Sequence, residues 1–125
     1  MLKENISIGD AELEIMKVLW GESEPVTTQV INKAVEEKNW KRTTVSTFLT
    51  RLAQKGAIKS EKKGNLYYYT PLLSEKDYKK FQTKSLIQSL FNGSIKEFAV
   101  SLFQEETLSQ EDIAELKAIF DSKEK

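Results

Sequence analysis

The sequence predicts a mostly α-helical chain that carries one small β-hairpin, with a second group of helices behind it. Three observations predict this. Apolar residues recur at helical spacing in three segments before Gly56. Two strand-like runs then flank a Lys-Lys-Gly-Asn tip. Three further segments each open on a serine with an acid three positions later, the pattern of a capped helix start.

The first helix is expected over Asp10–Trp20. Gly9 or Asp10 caps it, Glu12 and Glu14 lie at its positive end, and Ala11, Ile15 and Leu19 form its apolar stripe. Gly21 to Pro25 breaks it. A second helix, capped by Thr27, runs to Lys38 with Val30, Ile31, Ala34 and Val35 inward. A third spans Arg42–Lys55, where Val45, Phe48, Leu49 and Leu52 stand at i, i+3, i+4 and i+7, and Gly56 supplies the left-handed residue that ends it. The runs Ala57–Glu61 and Leu66–Pro71 around Lys62-Lys63-Gly64-Asn65 make the hairpin.

Three tail helices are expected over 75–92, 95–105 and 110–122, opened by the pairs Ser74/Asp77, Ser94/Glu97 and Ser109/Asp112. Ser94/Glu97 is the fullest capping box, because in the other two the acid is an aspartate. Gly93 ends the first of the three, and Leu72-Leu73 is the expected seam, giving domains 1–72 and 73–125.

Composition narrows the function. The chain of 125 residues has no cysteine and no histidine, so disulfides, thiol chemistry and the commonest general base are excluded, and no metal or cofactor is expected. The remaining acids Glu105, Glu106, Glu111, Asp112 and Glu115 fall in helix first turns, where capping accounts for them, so an enzyme is not expected. There is no apolar run of membrane-spanning length, hence no membrane insertion, and Met1–Asn5 lacks the stretch of a signal peptide, which places the chain in the cytoplasm.

Net charge is zero, but it is unevenly spread. From Lys38 to Lys63 eight cations face the single anion Glu61, whereas residues 73–125 carry eight cations and ten anions. Local field rather than total charge attracts phosphate.

Three helices followed by a hairpin, with cations gathered on the third helix and the hairpin, is the layout of a winged helix-turn-helix. If the Val45 stripe faces inward, the opposite side shows Thr43, Ser46, Thr47, Thr50 and Gln54, short uncharged groups that either form a solvated helix surface or lie flat in a major groove. Arg42 and Arg51 would hold phosphates, and Lys62 and Lys63 would reach the backbone from the hairpin tip. Alternation puts Tyr67 and Tyr69 on one strand face and Tyr68 on the other, so at least one of the three is read as packing in the core, in preference to a stacking platform for single strands. Trp20 and Trp40 are read as core or staple residues.

Several of these segments resemble the BlaI/MecI/CopY (penicillinase repressor) family of winged-helix transcriptional repressors. They are the stretch from Asp10 to Trp20, the stretch from Trp40 to Leu52 with Lys55-Gly56, and Lys62-Lys63-Gly64-Asn65 with Tyr68-Tyr69 and Pro71. Phe91-Asn92-Gly93 and the stretch from Leu108 to Leu116 resemble the BlaI/MecI branch. The resemblance implies a homodimeric repressor of an antibiotic-resistance or metal-resistance operon that binds double-stranded DNA at a palindromic operator with TACA/TGTA-type half-sites. It implies base-reading positions at Thr43, Thr44, Ser46 and Thr47, with Arg51 and the wing lysines on phosphates, and a membrane sensor-protease as partner. Two departures stand out. The cysteine-rich metal motif of the copper branch has no counterpart here, and the Asn-Phe pair cleaved in the other branch aligns with Ser101-Leu102.

In the tail, Ile95, Phe98, Ala99, Leu102 and Phe103 fall at i, i+3, i+4, i+7 and i+8, and Ile113, Leu116 and Phe120 line the last helix. So short a segment does not readily bury so many large apolar groups, so a second copy is expected to cover them; the other arrangement is a helical hairpin folded back on the reader. The competing function is a protein-interaction module that uses the winged helix without DNA readout.

Overall fold

The computed structural model describes residues 6–104 and 108–123. The expected helix end at 105, the acids Glu105 and Glu106 and the opening Met1–Asn5 lie outside these residues. Among the described residues there are six α-helices and a three-stranded antiparallel sheet. In order they are α1 (Asp10–Trp20), β1 (Val26–Thr27), α2 (Thr28–Ala34), a 3₁₀ turn (Glu36–Lys38), α3 (Arg42–Gln54), β2 (Ile58–Lys63), β3 (Leu66–Pro71), α4 (Glu75–Phe91), α5 (Ile95–Gln104) and α6 (Gln110–Lys123).

The start of α1 is closed by Glu12, whose carboxylate reaches back to accept the Gly9 N–H at 2.9 Å. Its inner face is Ile15, Met16 and Leu19, all fully buried. Thr27 caps α2 by accepting the Val30 N–H at 3.3 Å. The single helix expected to Lys38 is split. Val35 leaves the helical region (φ −107°, ψ 15°) with its side chain buried, a 3₁₀ turn follows, and Asn39 closes it at φ 59°. With seven residues, α2 points only Ile31 inward, and Val30 and Ala34, expected in the core, are exposed.

Helix α3 buries Val45, Leu49 and Leu52, with Phe48 half-buried at the edge of the same stripe. Its end is a Schellman motif: Gly56 sits at φ 84°, its N–H bonds to the Ala53 carbonyl at 3.1 Å, and the Ala57 N–H bonds to the Leu52 carbonyl at 2.9 Å. Strand β2 then runs through Lys63, so Lys62 and Lys63 lie within the strand and the turn is Gly64-Asn65 alone. Gly64 at φ 63° is followed by a residue of negative φ, the II′ arrangement that matches strand twist. Strand β1, which no periodicity announced, pairs Val26 with Tyr69 and Thr27 with Tyr68, giving the sheet order β1-β3-β2.

The chain divides into two compact units, Met1–Phe81 and Gln82–Lys125, and the boundary lies inside α4 rather than at the expected junction of 72 and 73. The physical reason is burial. Leu73 and Tyr78 belong to the first unit's core, the Trp20 indole donates to the Leu73 carbonyl at 2.8 Å, and its ring packs on Tyr78 at 5.6 Å. In the second unit α4 ends at Asn92 (φ 50°) and Gly93 (φ 83°), and Phe91 meets Phe98 edge-on at 5.6 Å.

Candidate nucleic-acid interface

On a helix turning about 100° per residue, Thr43, Ser46, Thr47, Thr50 and Gln54 occupy an arc of roughly 100° on α3. All five are exposed, opposite the buried Val45, Leu49 and Leu52. Arg42 and Arg51 flank that arc on its two sides, about 80–100° from Thr43, and both are exposed. Thr44 lies off the arc and is half-buried, so it stands apart from the other hydroxyls. Thr47 donates its hydroxyl proton to the Thr43 carbonyl at 2.9 Å. That bond leaves its oxygen lone pairs as acceptors and its methyl group for apolar contact.

The basic run is sorted by partners. Lys38 reaches Glu14 at 3.8 Å, Lys59 reaches Glu61 at 3.9 Å, and Lys55 is held by two acceptors. Its ammonium donates to the buried Glu12 carboxylate at 2.6 Å and to the Ser7 carbonyl at 2.7 Å, pinning the end of α3 to the start of α1. Burial alone would push the Glu12 carboxyl up. The hydrogen bonds from Lys55 and Gly9 and the charges of Lys55 and Arg51 outweigh it and hold the group below its ordinary value. Among the described residues Lys41, Arg42, Arg51, Lys62 and Lys63 form no salt bridge.

Strand register separates the two wing lysines. Ile58, Ser60 and Lys62 share one face with Tyr67, Tyr69 and Pro71, and Ser60 and Tyr69 line a groove against Thr50 and Gln54 of α3. Lys62 lies over the Tyr67 ring at 5.8 Å on that face, while Lys63 lies over Tyr68 at 5.7 Å on the other. Tyr69 packs on the core as expected, but Tyr67 stays exposed. Trp20 is tied into the core, and Trp40 is half-buried with its ring edge-on to Phe48 at 5.3 Å.

In the tail, Ile95, Phe103, Ile113, Leu116 and Phe120 are exposed, whereas Phe98 and Leu102 are half-buried. Ser101, inside α5, donates to the Phe98 carbonyl at 2.6 Å. Among the described residues no helix is long and apolar enough to cross a membrane.

An α1-β1-α2-α3-β2-β3 order, with an open polar face on the third helix and a two-stranded arm beside it, defines a winged helix-turn-helix protein. The chain belongs to the penicillinase repressor family, whose model matches residues 8–122. It is 35% identical to the penicillinase repressor of Bacillus licheniformis over 120 residues, covering 96% of this chain and 94% of that one. It is 29% identical to the methicillin resistance regulatory protein MecI of Staphylococcus aureus, covering 98% of this chain and all of the other. The solved DNA-binding domain of the repressor BlaI superposes with a TM-score of 0.53 at 40% identity, over 58% of this chain and 89% of that one. The monomeric form of Bacillus licheniformis BlaI in complex with the blaP half-operator superposes with a TM-score of 0.50 at 41% identity, over 58% of this chain and 88% of that one. The family is one of repressors and not of enzymes.

Proposed function

We propose that this chain is a cytoplasmic DNA-binding repressor of an antibiotic-resistance-type operon, acting as a homodimer on a palindromic operator. The observation that carries the reading is the exposed hydroxyl face of α3 flanked on both sides by exposed arginines, in a member of this family. Thr43, Ser46, Thr47 and Thr50 read base edges and thymine methyls, with Thr44 at the margin. Arg42, Arg51, Lys62 and Lys63 hold phosphates and fix the register.

The BlaI complex with a half-operator supports one reader per half-site. Two readers joined through their tails then bind a palindrome more tightly, because each raises the other's effective concentration at its half-site. The exposed Ile95, Phe103, Ile113, Leu116 and Phe120, with Phe98 and Leu102 beside them, support the tail as the joining surface. Release follows from parting the tails. A membrane sensor-protease that cuts between Ser101 and Leu102 would do it, but it must first open α5, since both residues are half-buried within that helix.

The test is fluorescence anisotropy on an operator duplex and a scrambled one across a salt series. Binding should weaken linearly with log salt, with a slope of ~0.9 per phosphate neutralised. Thr47→Ala should lose ~1–3 kcal/mol on the operator and little on the scrambled duplex. Equal losses on both would refute the assignment of this face, and a parent protein with no salt slope would return the fold to the class of protein-interaction modules.

A further inference from the structure

The passage from β3 into α4 is three residues long, Leu72 to Ser74, and contains no glycine. Its backbone groups are bonded on both sides. The N–H groups of Leu72 and Leu73 both donate to the Ala57 carbonyl, at 2.8 and 3.1 Å, just beyond the Gly56 turn that ends α3. The Leu73 carbonyl accepts the Trp20 indole N–H at 2.8 Å, and the Ser74 hydroxyl caps α4 by accepting the Asp77 N–H at 3.1 Å. A segment can swing only by giving up such bonds, so this junction does not behave as the flexible coil of a Gly/Ser linker.

Trp20 adds a second, independent observation. It is the last residue of α1, and it grips the start of α4 at two points. One is the Leu73 carbonyl, and the other is the Tyr78 ring, 5.6 Å away and tilted by 39°. Leu73 and Tyr78 are both buried. A single contact would leave a helix free to pivot, whereas two contacts fix its direction as well as its place. Between Glu75 and Phe91 there is neither glycine nor proline, so the usual causes of a kink are absent. The helix that Trp20 aims is unbroken for 17 residues, or about 25 Å.

The reading face of α3 does not need this grip, but a dimer does. A bivalent binder gains from its second site only where the connection can span the two, and each base pair added between half-sites turns the second by about 34–36° around the duplex. We propose that Trp20 is a positioning residue for operator geometry. By fastening the start of α4 to the end of α1 it fixes the direction in which that helix leaves the reader, and so sets which separation of half-sites the dimer accepts. The inference rests on the DNA-binding dimer proposed above and adds to it a determinant of operator choice that touches no DNA.

The experiment measures fluorescence anisotropy of the intact chain at one salt concentration. The duplexes carry one TACA/TGTA-type half-site, or two at separations that differ by single base pairs. Trp20→Phe keeps a ring against Tyr78 and removes the donor. A second variant, with two glycines inserted between Leu73 and Ser74, frees α4 and retains every core side chain. The parent should bind its preferred separation roughly tenfold more tightly than one two base pairs longer or shorter. Both variants should cut that ratio by roughly threefold or more, and should bind the single half-site as the parent does. Unchanged ratios in both variants, or a parent indifferent to separation, would overturn the role of Trp20 and leave the DNA reading intact. A loss that falls equally on every duplex, the single half-site included, would make Trp20 a core residue alone. A parent that binds no duplex would remove the DNA reading itself. Should Trp20→Phe lower the thermal midpoint, the glycine insertion decides the question.

Discussion

The two units of the chain handle their apolar side chains in opposite ways. In residues 6–81 Ile15, Met16, Leu19, Ile31 and Leu52 are wholly withdrawn from water and join one cluster with the hairpin and Leu73. In the described part of 82–125 Ile87 alone is buried, while Leu90, Ile95, Phe103, Ile119 and Phe120 are more than half exposed. The first unit therefore satisfies its hydrophobic residues within itself. The second leaves them open to water, and where such side chains gather into a patch they mark an interaction surface. A reader that is complete alone, and a tail that is complete only when covered, is the division of labour that the proposed dimer requires.

Truncation should affect the two units unequally, and this is the largest expected effect. Leu19→Ala removes a fully buried side chain of α1, and should cost about 2–5 kcal/mol in denaturant unfolding of the first unit. Phe120→Glu, at a side chain 66% exposed, should change that unfolding by no more than ~0.5 kcal/mol. Its effect should appear instead in sedimentation, as loss of the dimer at concentrations where the parent is dimeric. If Phe120→Glu sediments as the parent does, the tail is covered by something other than a second copy through this face.

Acid should act on the units differently as well. The Glu12–Lys55 pair joins α1 to α3 at 2.6 Å, with the Glu12 side chain 7% exposed. Its carboxyl is held below the ordinary value, so the folded state binds a proton less readily than the unfolded one. The stability it contributes is present above the unfolded value, near pH 4.3, and is lost as pH falls through the folded one. Glu12→Gln should cost about 1–2 kcal/mol at pH 7, discounted because Lys55 is about one-third exposed, and should flatten the acid limb of the stability curve. An unaltered acid limb would show that the pair is not what makes the reader acid-sensitive.

What the sequence disclosed follows the reach of each interaction. Helix α3 and its Thr/Ser face were legible because burial repeats every three or four residues and Gly56 marks the end. Strand β1 was not, since two residues carry no period. The Lys55–Glu12 bond spans 43 positions, which is why Lys55 read as one more cation of a basic run. The seam was misplaced for the same reason: Trp20 holds Leu73 across 53 positions, and nothing local to Leu72-Leu73 records that bond. The opposite orientations of Lys62 and Lys63 come from a strand that extends through both, which a four-residue Lys62-Lys63-Gly64-Asn65 tip does not imply.

The smallest predicted effect sharpens the comparison within the tail itself. The reciprocal capping box expected at Ser94/Glu97 stands instead at Ser109/Asp112. There the Asp112 N–H donates to the Ser109 hydroxyl at 3.0 Å and the Ser109 N–H donates to the Asp112 carboxylate at 3.4 Å. At Ser94 the hydroxyl caps Glu97 at 3.1 Å, but the backbone N–H is already bonded to the Phe91 carbonyl at 2.8 Å, so the return half of the box has no donor left. Helix α6 buries none of its described side chains within the chain, so its cap carries more of its order than a cap in the reader would. Ser109→Ala should therefore cost about 0.5–1 kcal/mol, expressed as a two- to fivefold weaker dimer while the unfolding of residues 6–81 stays unchanged. Circular dichroism separates the two ways this can happen. If a second copy holds α6 in place, helical content falls only on dilution below the dimer's dissociation constant. Loss of helix at every concentration, with association unaltered, would mean that α6 stands on its cap alone and contributes nothing to the joining surface.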